Sequence, residues 1–216
     1  MNRPILLFLG LCGFATAALA APPAQPGPVL VAGQNDAAWE PLFAALANKG
    51  AIFSRFTERR WFPFHKRPVV VPGEMRLAPG RGLSLHYAQP EDRTVIVDAQ
   101  GLALRDAKGR TKAGPPDPRA GAAIAALLPV LRFDRAELAK TFALSAARDG
   151  ADWRLDFEPR DPAVARLLGR IVVYGAGEVV QRIELQRSAQ QRVEIEIGET
   201  ATQVSFTEAD LKRFFR

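Results

Sequence analysis

The sequence predicts a mainly β protein, a curled antiparallel sheet or barrel carrying a few short helices. Three observations lead there. Apolar and polar residues alternate with period two in many short segments, turn sequences separate those segments, and helical spacing is confined to short stretches.

Taken in order, residues 21–34 (APPAQPGPVLVAGQ) combine Pro, Gly and Ala and read as a flexible lead-in. Asn35-Asp36 can cap a helix over about 36–48, in which Trp39, Leu42, Phe43 and Leu46 recur at helical spacing before the stop Asn48-Lys49-Gly50. The period then changes to two. Ile52, Ser54 and Phe56 share one face of a strand, Val69, Val71, Met75 and Leu77 one face of the next, and Leu83, Leu85 and Tyr87 one face of a third. Thr94 to Asp98 and Leu102 to Arg105 continue this meander.

Lys108 to Pro118 is a polar loop. After it, Ile124, Leu127, Leu128 and Leu131 fall on one helical stripe that Pro129 is expected to break or kink, and Asp134 can cap a second helix over 135–141. The last third returns to strands. Trp153, Leu155 and Phe157 alternate with Arg154 and Asp156, and the same pattern recurs through Val179, Ile183 and Leu185 and through Val193, Ile195 and Ile197. Each such strand should be buried on one face only.

The first 20 residues, with Arg3, an apolar run from Ile5 and a small-residue end at Ala18-Leu19-Ala20, read as a secretory signal peptide cleaved before Ala21. No later stretch reaches the roughly 20 apolar residues of a membrane-spanning helix, so the expectation is a soluble protein of one domain over 35–216. The only cysteine, Cys12, follows Leu9-Gly10-Leu11, which is unlike a lipoprotein cleavage box. The formal charge of +6 is spread along the chain without a dense basic block, which argues against nucleic acid as a partner. A monomer is expected.

Gly82-Leu83-Ser84-Leu85-His86 matches part of a nucleophile elbow. That elbow needs a strand running into a helix, and Ser84 lies inside an alternating strand, where it should face solvent with His86. His65 and His86 are the only histidines and have no thiol to join them, so no metal site is expected. Neither glycine-rich stretch, 80–82 nor 175–177, continues into a phosphate-binding pattern, and no cofactor is expected. The chain reads as a non-enzyme.

Three pieces in order resemble the family of periplasmic lipoprotein carriers called LolA: Ile52-Phe53-Ser54-Arg55-Phe56-Thr57-Glu58; Gly73 to Leu77 with Leu83 to Tyr87 and Gln89-Pro90; and Val95 to Leu102. The apolar helical insert and Asp149 to Pro159 follow in the family's order. The resemblance covers about 35–205. It implies an unclosed antiparallel β-barrel whose short α-helices form a lid over a hydrophobic cavity, in a periplasmic protein that acts as a chaperone in outer-membrane biogenesis. Such a carrier accepts lipoprotein acyl chains from an inner-membrane transporter and delivers them to an outer-membrane acceptor.

On that view Phe56, Val71, Met75, Leu77, Leu83, Leu85, Tyr87, Trp153 and Leu155 would form the cavity wall, and Ile124, Leu127, Leu128 and Leu131 the lid. The family carries a lid-locking arginine just after the strand corresponding to Gly73–Ala78. Here that position is Pro79, and Arg81 is the candidate replacement. This departure suits a paralogue that carries a glycolipid or another specialised lipid from an export cluster. A lipoprotein-sensing signalling domain of the same fold is the other alternative.

Overall fold

The computed structural model describes residues 30–31, 36–114 and 126–216. Their strands are β1 (Leu30–Val31), β2 (Ile52–Trp61), β3 (Val69–Ala78), β4 (Gly82–Tyr87), β5 (Arg93–Asp98), β6 (Gly101–Asp106), β7 (Thr111–Ala113), β8 (Phe142–Asp149), β9 (Asp152–Pro159), β10 (Arg170–Ala176), β11 (Val179–Ser188) and β12 (Gln191–Thr202). They form one 12-stranded sheet in the order β1-β8-β9-β10-β11-β12-β2-β3-β4-β5-β6-β7, so the two halves of the chain meet where β12 pairs β2. Every neighbouring pair is antiparallel. Nothing among the described residues pairs β1 with β7, and the barrel stays open.

The helices are α1 (Glu40–Ala47), α2 (helical residues 126–132), α3 (Arg135–Thr141), α4 (Pro162–Leu168) and α5 (Glu208–Phe214). Asp134 caps α3 as its sequence predicts, its carboxylate accepting from the Glu137 N–H. Of the two outcomes expected at Pro129, the break does not occur: helix α2 continues to residue 132, and Phe133, with φ 50°, ends it in left-handed backbone. Residues 111–113 of the expected polar loop form the edge strand β7.

Register explains the two faces. Ile52, Leu77, Leu83 and Val97 stand side by side on β2 to β5, and Ile195, Ile183, Val173 and Leu155 do so on β12, β11, β10 and β9. These rows belong to the inner face, which α1, α2 and α3 cover in the main core. Trp39, Phe43, Val130 and Leu138 there meet Phe142, Leu155, Phe157 and Ile171. Arg135 of α3 pairs with Glu40 of α1.

The outer face carries cross-strand ion pairs, such as Arg59 to Glu196 at 2.7 Å and Arg170 to Asp156 at 2.6 Å. Exposed pairs of this kind add little stability each. Over β3 and β4, however, the outer face is not open to water. Phe214 at the end of α5 lies against His86 and under the Arg76 guanidinium, 3.7 Å from ring centre to carbon. Arg105 donates to the carbonyls of Lys212, Arg213 and Phe215, and Arg216 forks onto Asp98. Ser84 is consequently fully buried and His86 largely so, which corrects the expectation that both face solvent. Alternation shows that they lie opposite Leu83; it does not show what lies over them.

Candidate functional site

Between the helices and the inner face lies a cavity of about 400 Å³. Strands β2, β3 and β4 contribute Ile52, Met75, Leu77 and Leu83; β10 and β11 contribute Ile171, Val173, Val180 and Ile183. Its roof is Leu127, Val130 and Leu131 of α2 with Phe133, and α1 adds Leu46. Both sheet halves thus face one space because β12 and β2 are hydrogen-bonded at the middle of the sheet.

Polar groups occur at the rim. Lys49, at the end of α1, reaches Glu178 in the β10–β11 turn at 2.8 Å, and both border the cavity. Thr200, Thr202 and Glu199 border it as well. The β12 register shifts between Ile197 and Thr200, so Gly198 and Glu199 form an irregularity there, and the buried Ser54 hydroxyl lies 3.2 Å from the Glu199 carbonyl that it can donate to.

Next to the cavity on the same face is a smaller packed cluster. Phe56, Val71 and Tyr87 are buried together, with Met75, Leu85, Val95 and Ile195 against them. The Phe56 ring lies over Gly73, where a β-carbon would come within 2.4 Å of Cζ, so this packing requires glycine. Phe56 and Tyr87 meet edge to face at 5.5 Å.

The Tyr87 hydroxyl donates to buried Glu58 at 2.6 Å, and Glu58 accepts from Arg60 Nε at 2.5 Å. Burial, then the negative charge of Glu58, pushes the Tyr87 phenol well above its ordinary value. The Glu58 hydrogen bond likewise raises Arg60.

The structure brings together Met75, Leu77, Leu83, Leu127 and Leu131 around the cavity. Phe56, Val71, Leu85 and Tyr87 instead belong to the adjoining cluster. Trp153 and Leu155 are buried in the main core, in one cluster with Trp39, Phe43 and Leu138 of the helical segments, and do not border the cavity. Leu128 is half-buried and does not border it either, and Ile124 lies outside the described residues. Arg81 is exposed and donates to the carbonyl of Arg216 at 3.1 Å, tying the β3–β4 turn to the C-terminal segment rather than to α2.

Sequence reasoning missed Ile52, Ile171, Val173, Val180, Ile183 and Ile197 as lining. Ile183 and Ile197 stand in the alternating runs already noted, so the signal existed. The rim residues come from turns and a strand irregularity, which no period marks.

The lining contains no histidine and no thiol, and no cluster of His, Cys, Asp or Glu among the described residues could hold a metal. Ser84, the one residue with a hydrolase-like context, lies on the opposite face with its hydroxyl buried and without a hydrogen-bond partner. What this arrangement offers is apolar surface removed from water.

An open antiparallel sheet with short helices roofing an apolar cavity defines a cavity-bearing half-barrel protein. Residues 32–211 match the family model described as outer membrane lipoprotein carrier protein LolA-like, and the chain belongs to that family. Among solved structures, it is similar to MucB in complex with MucA(peri), at 13% identity and a TM-score of 0.41, over 81% of this chain and 58% of that one. It is also similar to a LolA superfamily protein from Nitrosomonas europaea, at 4% identity and a TM-score of 0.42, over 79% of this chain and 95% of that one. No curated protein matches the sequence. Among the described residues, no helix is long and apolar enough to cross a membrane.

Proposed function

We propose that this protein is a non-catalytic periplasmic carrier that holds acyl chains in the cavity beneath α2 and moves them from the inner towards the outer membrane. The observation that carries the reading is the apolar cavity itself, walled by both halves of the sheet and roofed by Leu127 and Leu131. Family membership supports it. Each methylene taken from water contributes about 0.8 kcal/mol, so even one chain supplies a large driving force. Release must then be coupled to replacing the chain's contacts with those of the lid or of an acceptor.

The volume narrows the cargo. A cavity of ~150 Å³ holds the six carbons of benzene, about 25 Å³ for each carbon. On that scale the roughly 400 Å³ here accommodates one long acyl chain of about sixteen carbons. This favours a singly acylated lipid or glycolipid in the roofed state; a triacylated lipoprotein requires α2 to lift. The polar rim of Lys49, Glu178, Thr200 and Thr202 would meet the headgroup.

Native mass spectrometry of protein isolated from the periplasm tests this. The expected result is a bound amphiphile of defined mass, reduced at least tenfold by Leu127→Glu. A lipid-free protein that also fails to take up a fluorescent fatty acid would overturn the proposal.

A further inference from the structure

Six large hydrophobic side chains stay exposed among the described residues, and four of them, Phe62, Phe64, Val69 and Val70, lie at one place, the β2–β3 connection. Phe64 is 96% exposed and Val70 54%, values that no packing within the chain explains. The sequence there, Arg59-Arg60-Trp61-Phe62-Pro63-Phe64-His65-Lys66-Arg67-Pro68-Val69-Val70, has no acidic residue. Lys66 and Arg67 are exposed at the turn, while Arg59 and Arg60 are held by glutamates on the sheet behind it.

The geometry makes this a projection. Strand β3 pairs with β4 only from Glu74 onwards, whereas it pairs with β2 from Val69. The hairpin end therefore extends beyond β4 on one side, while β2 stays paired with β12 as far as Trp61 on the other, and Val69 and Val70 lie on its two opposite faces. A Phe62 carbonyl accepting from the His65 N–H at 3.1 Å gives the turn a defined shape and leaves Phe64 pointing outwards.

We infer that this tip docks the protein on a lipid bilayer with anionic headgroups. Aromatic rings beside Lys and Arg are the side chains that sit best at a membrane interface, the rings at headgroup depth and the cations on lipid phosphates. A protein partner of ordinary size would need about 800 Å² from this side, and the exposed large apolar groups here are only Phe62, Phe64, Val69 and Val70. A bilayer asks only for a few projecting groups. The ten residues of β2 place the tip about 30 Å from Ile52 at the cavity, at ~3.3 Å per residue. Docking is thus separate from cargo binding and stands whether or not the cavity takes lipid.

The test is co-sedimentation of the full chain in its secreted form with vesicles of phosphatidylglycerol and phosphatidylethanolamine, against vesicles of phosphatidylcholine alone. Binding is expected on the anionic vesicles and is expected to fall with salt. Lys66→Glu with Arg67→Glu should weaken it by more than tenfold, since each cation near an anionic surface is worth about fivefold. Phe62→Ser with Phe64→Ser should weaken it comparably, while Leu104→Ser, which alters an exposed apolar residue elsewhere, should leave it unchanged. All these side chains are exposed, and circular dichroism checks that the fold is kept. Wild-type protein that stays in the supernatant with anionic vesicles, or tip variants that pellet like wild type, would overturn the inference. So would loss of a protein partner's binding on tip mutation without any vesicle binding.

Discussion

Two regions of the sheet, β8–β9 and β2–β4, use the same alternation for different ends. Across β8 and β9 the inner face is covered by α1 and α3, and Leu155 and Phe157 are fully buried. Across β2, β3 and β4 the helices stand off. There Met75, Leu77 and Leu83 face a cavity, and the buried cluster beside it is small and includes an ionised pair. Each region has one large aromatic seated over a glycine: Trp153 of the first over Gly175, with a β-carbon approach of 2.2 Å, and Phe56 of the second over Gly73. The β8–β9 region is a core, and β2 to β4, together with Ile171, Val173 and Ile183 of β10 and β11, are wall. The proposed carrier role needs both, because a wall that can part from its roof must be held by something that does not part.

The largest expected effect separates these roles. Leu155→Ala should cost about 4–5 kcal/mol in urea unfolding, near the top of the range for buried leucine truncations, because its neighbours cannot close the gap. Leu83→Ala should cost about 2 kcal/mol, since one side of the residue already lacks packing partners. Fluorescent fatty-acid binding should respond in the opposite order, weakened by the Leu83 change and unaltered by the Leu155 change in protein that remains folded. Equal stability losses at the two positions would show that the second region is packed as tightly as the first.

That contrast is only partly legible in the sequence. Period-two alternation identifies which side chains share a face, and most strands were found from it. It does not reveal what covers the face: the family resemblance places Trp153 and Leu155 at the cavity and the alternation places Ser84 and His86 in water, whereas in the fold Trp153 and Leu155 are core and the C-terminal segment covers Ser84 and His86. Strand β8, FALSAARD, escaped notice because its inward positions after Phe142 and Leu144 fall to a small Ala146, too little contrast for a clear period. Helices α4 and α5 have seven residues each, too few turns to establish a stripe. The capping box at Thr207 and Asp210 was the readable trace of α5.

A smaller effect probes the buried pair in the wall. Tyr87→Phe removes one hydrogen bond from the buried Glu58 carboxylate and should destabilise by about 1–3 kcal/mol near neutral pH. The sign with pH follows from the raised phenol. The folded state holds the Tyr87 proton more tightly than the unfolded state, so this contribution is complete below the ordinary tyrosine value of 10.0 and is lost as pH rises above it. Wild type should therefore lose stability on the alkaline side of 10.0 faster than Tyr87→Phe, provided both are measured by denaturant midpoint at matched ionic strength. Parallel alkaline limbs would mean that the phenol is as free to ionise in the fold as in the unfolded chain.

The smallest effect on stability should be the one most telling for exchange. Lys49 and Glu178 join the end of α1 to the β10–β11 turn across the cavity rim, with Glu178 64% exposed in its side chain. A pair so open to water contributes at most about 1 kcal/mol to folding, and Lys49→Ala should scarcely move the unfolding midpoint. The same pair stands on the cavity rim, where a chain of the proposed cargo would have to pass to enter. Removing it should speed dissociation of a bound fluorescent fatty acid severalfold in stopped-flow measurements. Restoring a cation with Lys49→Arg should return the rate towards wild type, since the charge and its partner are kept. If both substitutions leave the off-rate unchanged, chains pass elsewhere, and the crevice between the β3–β4 turn and the end of α2, bordered by Pro79, Gly80 and Leu131, becomes the route to test.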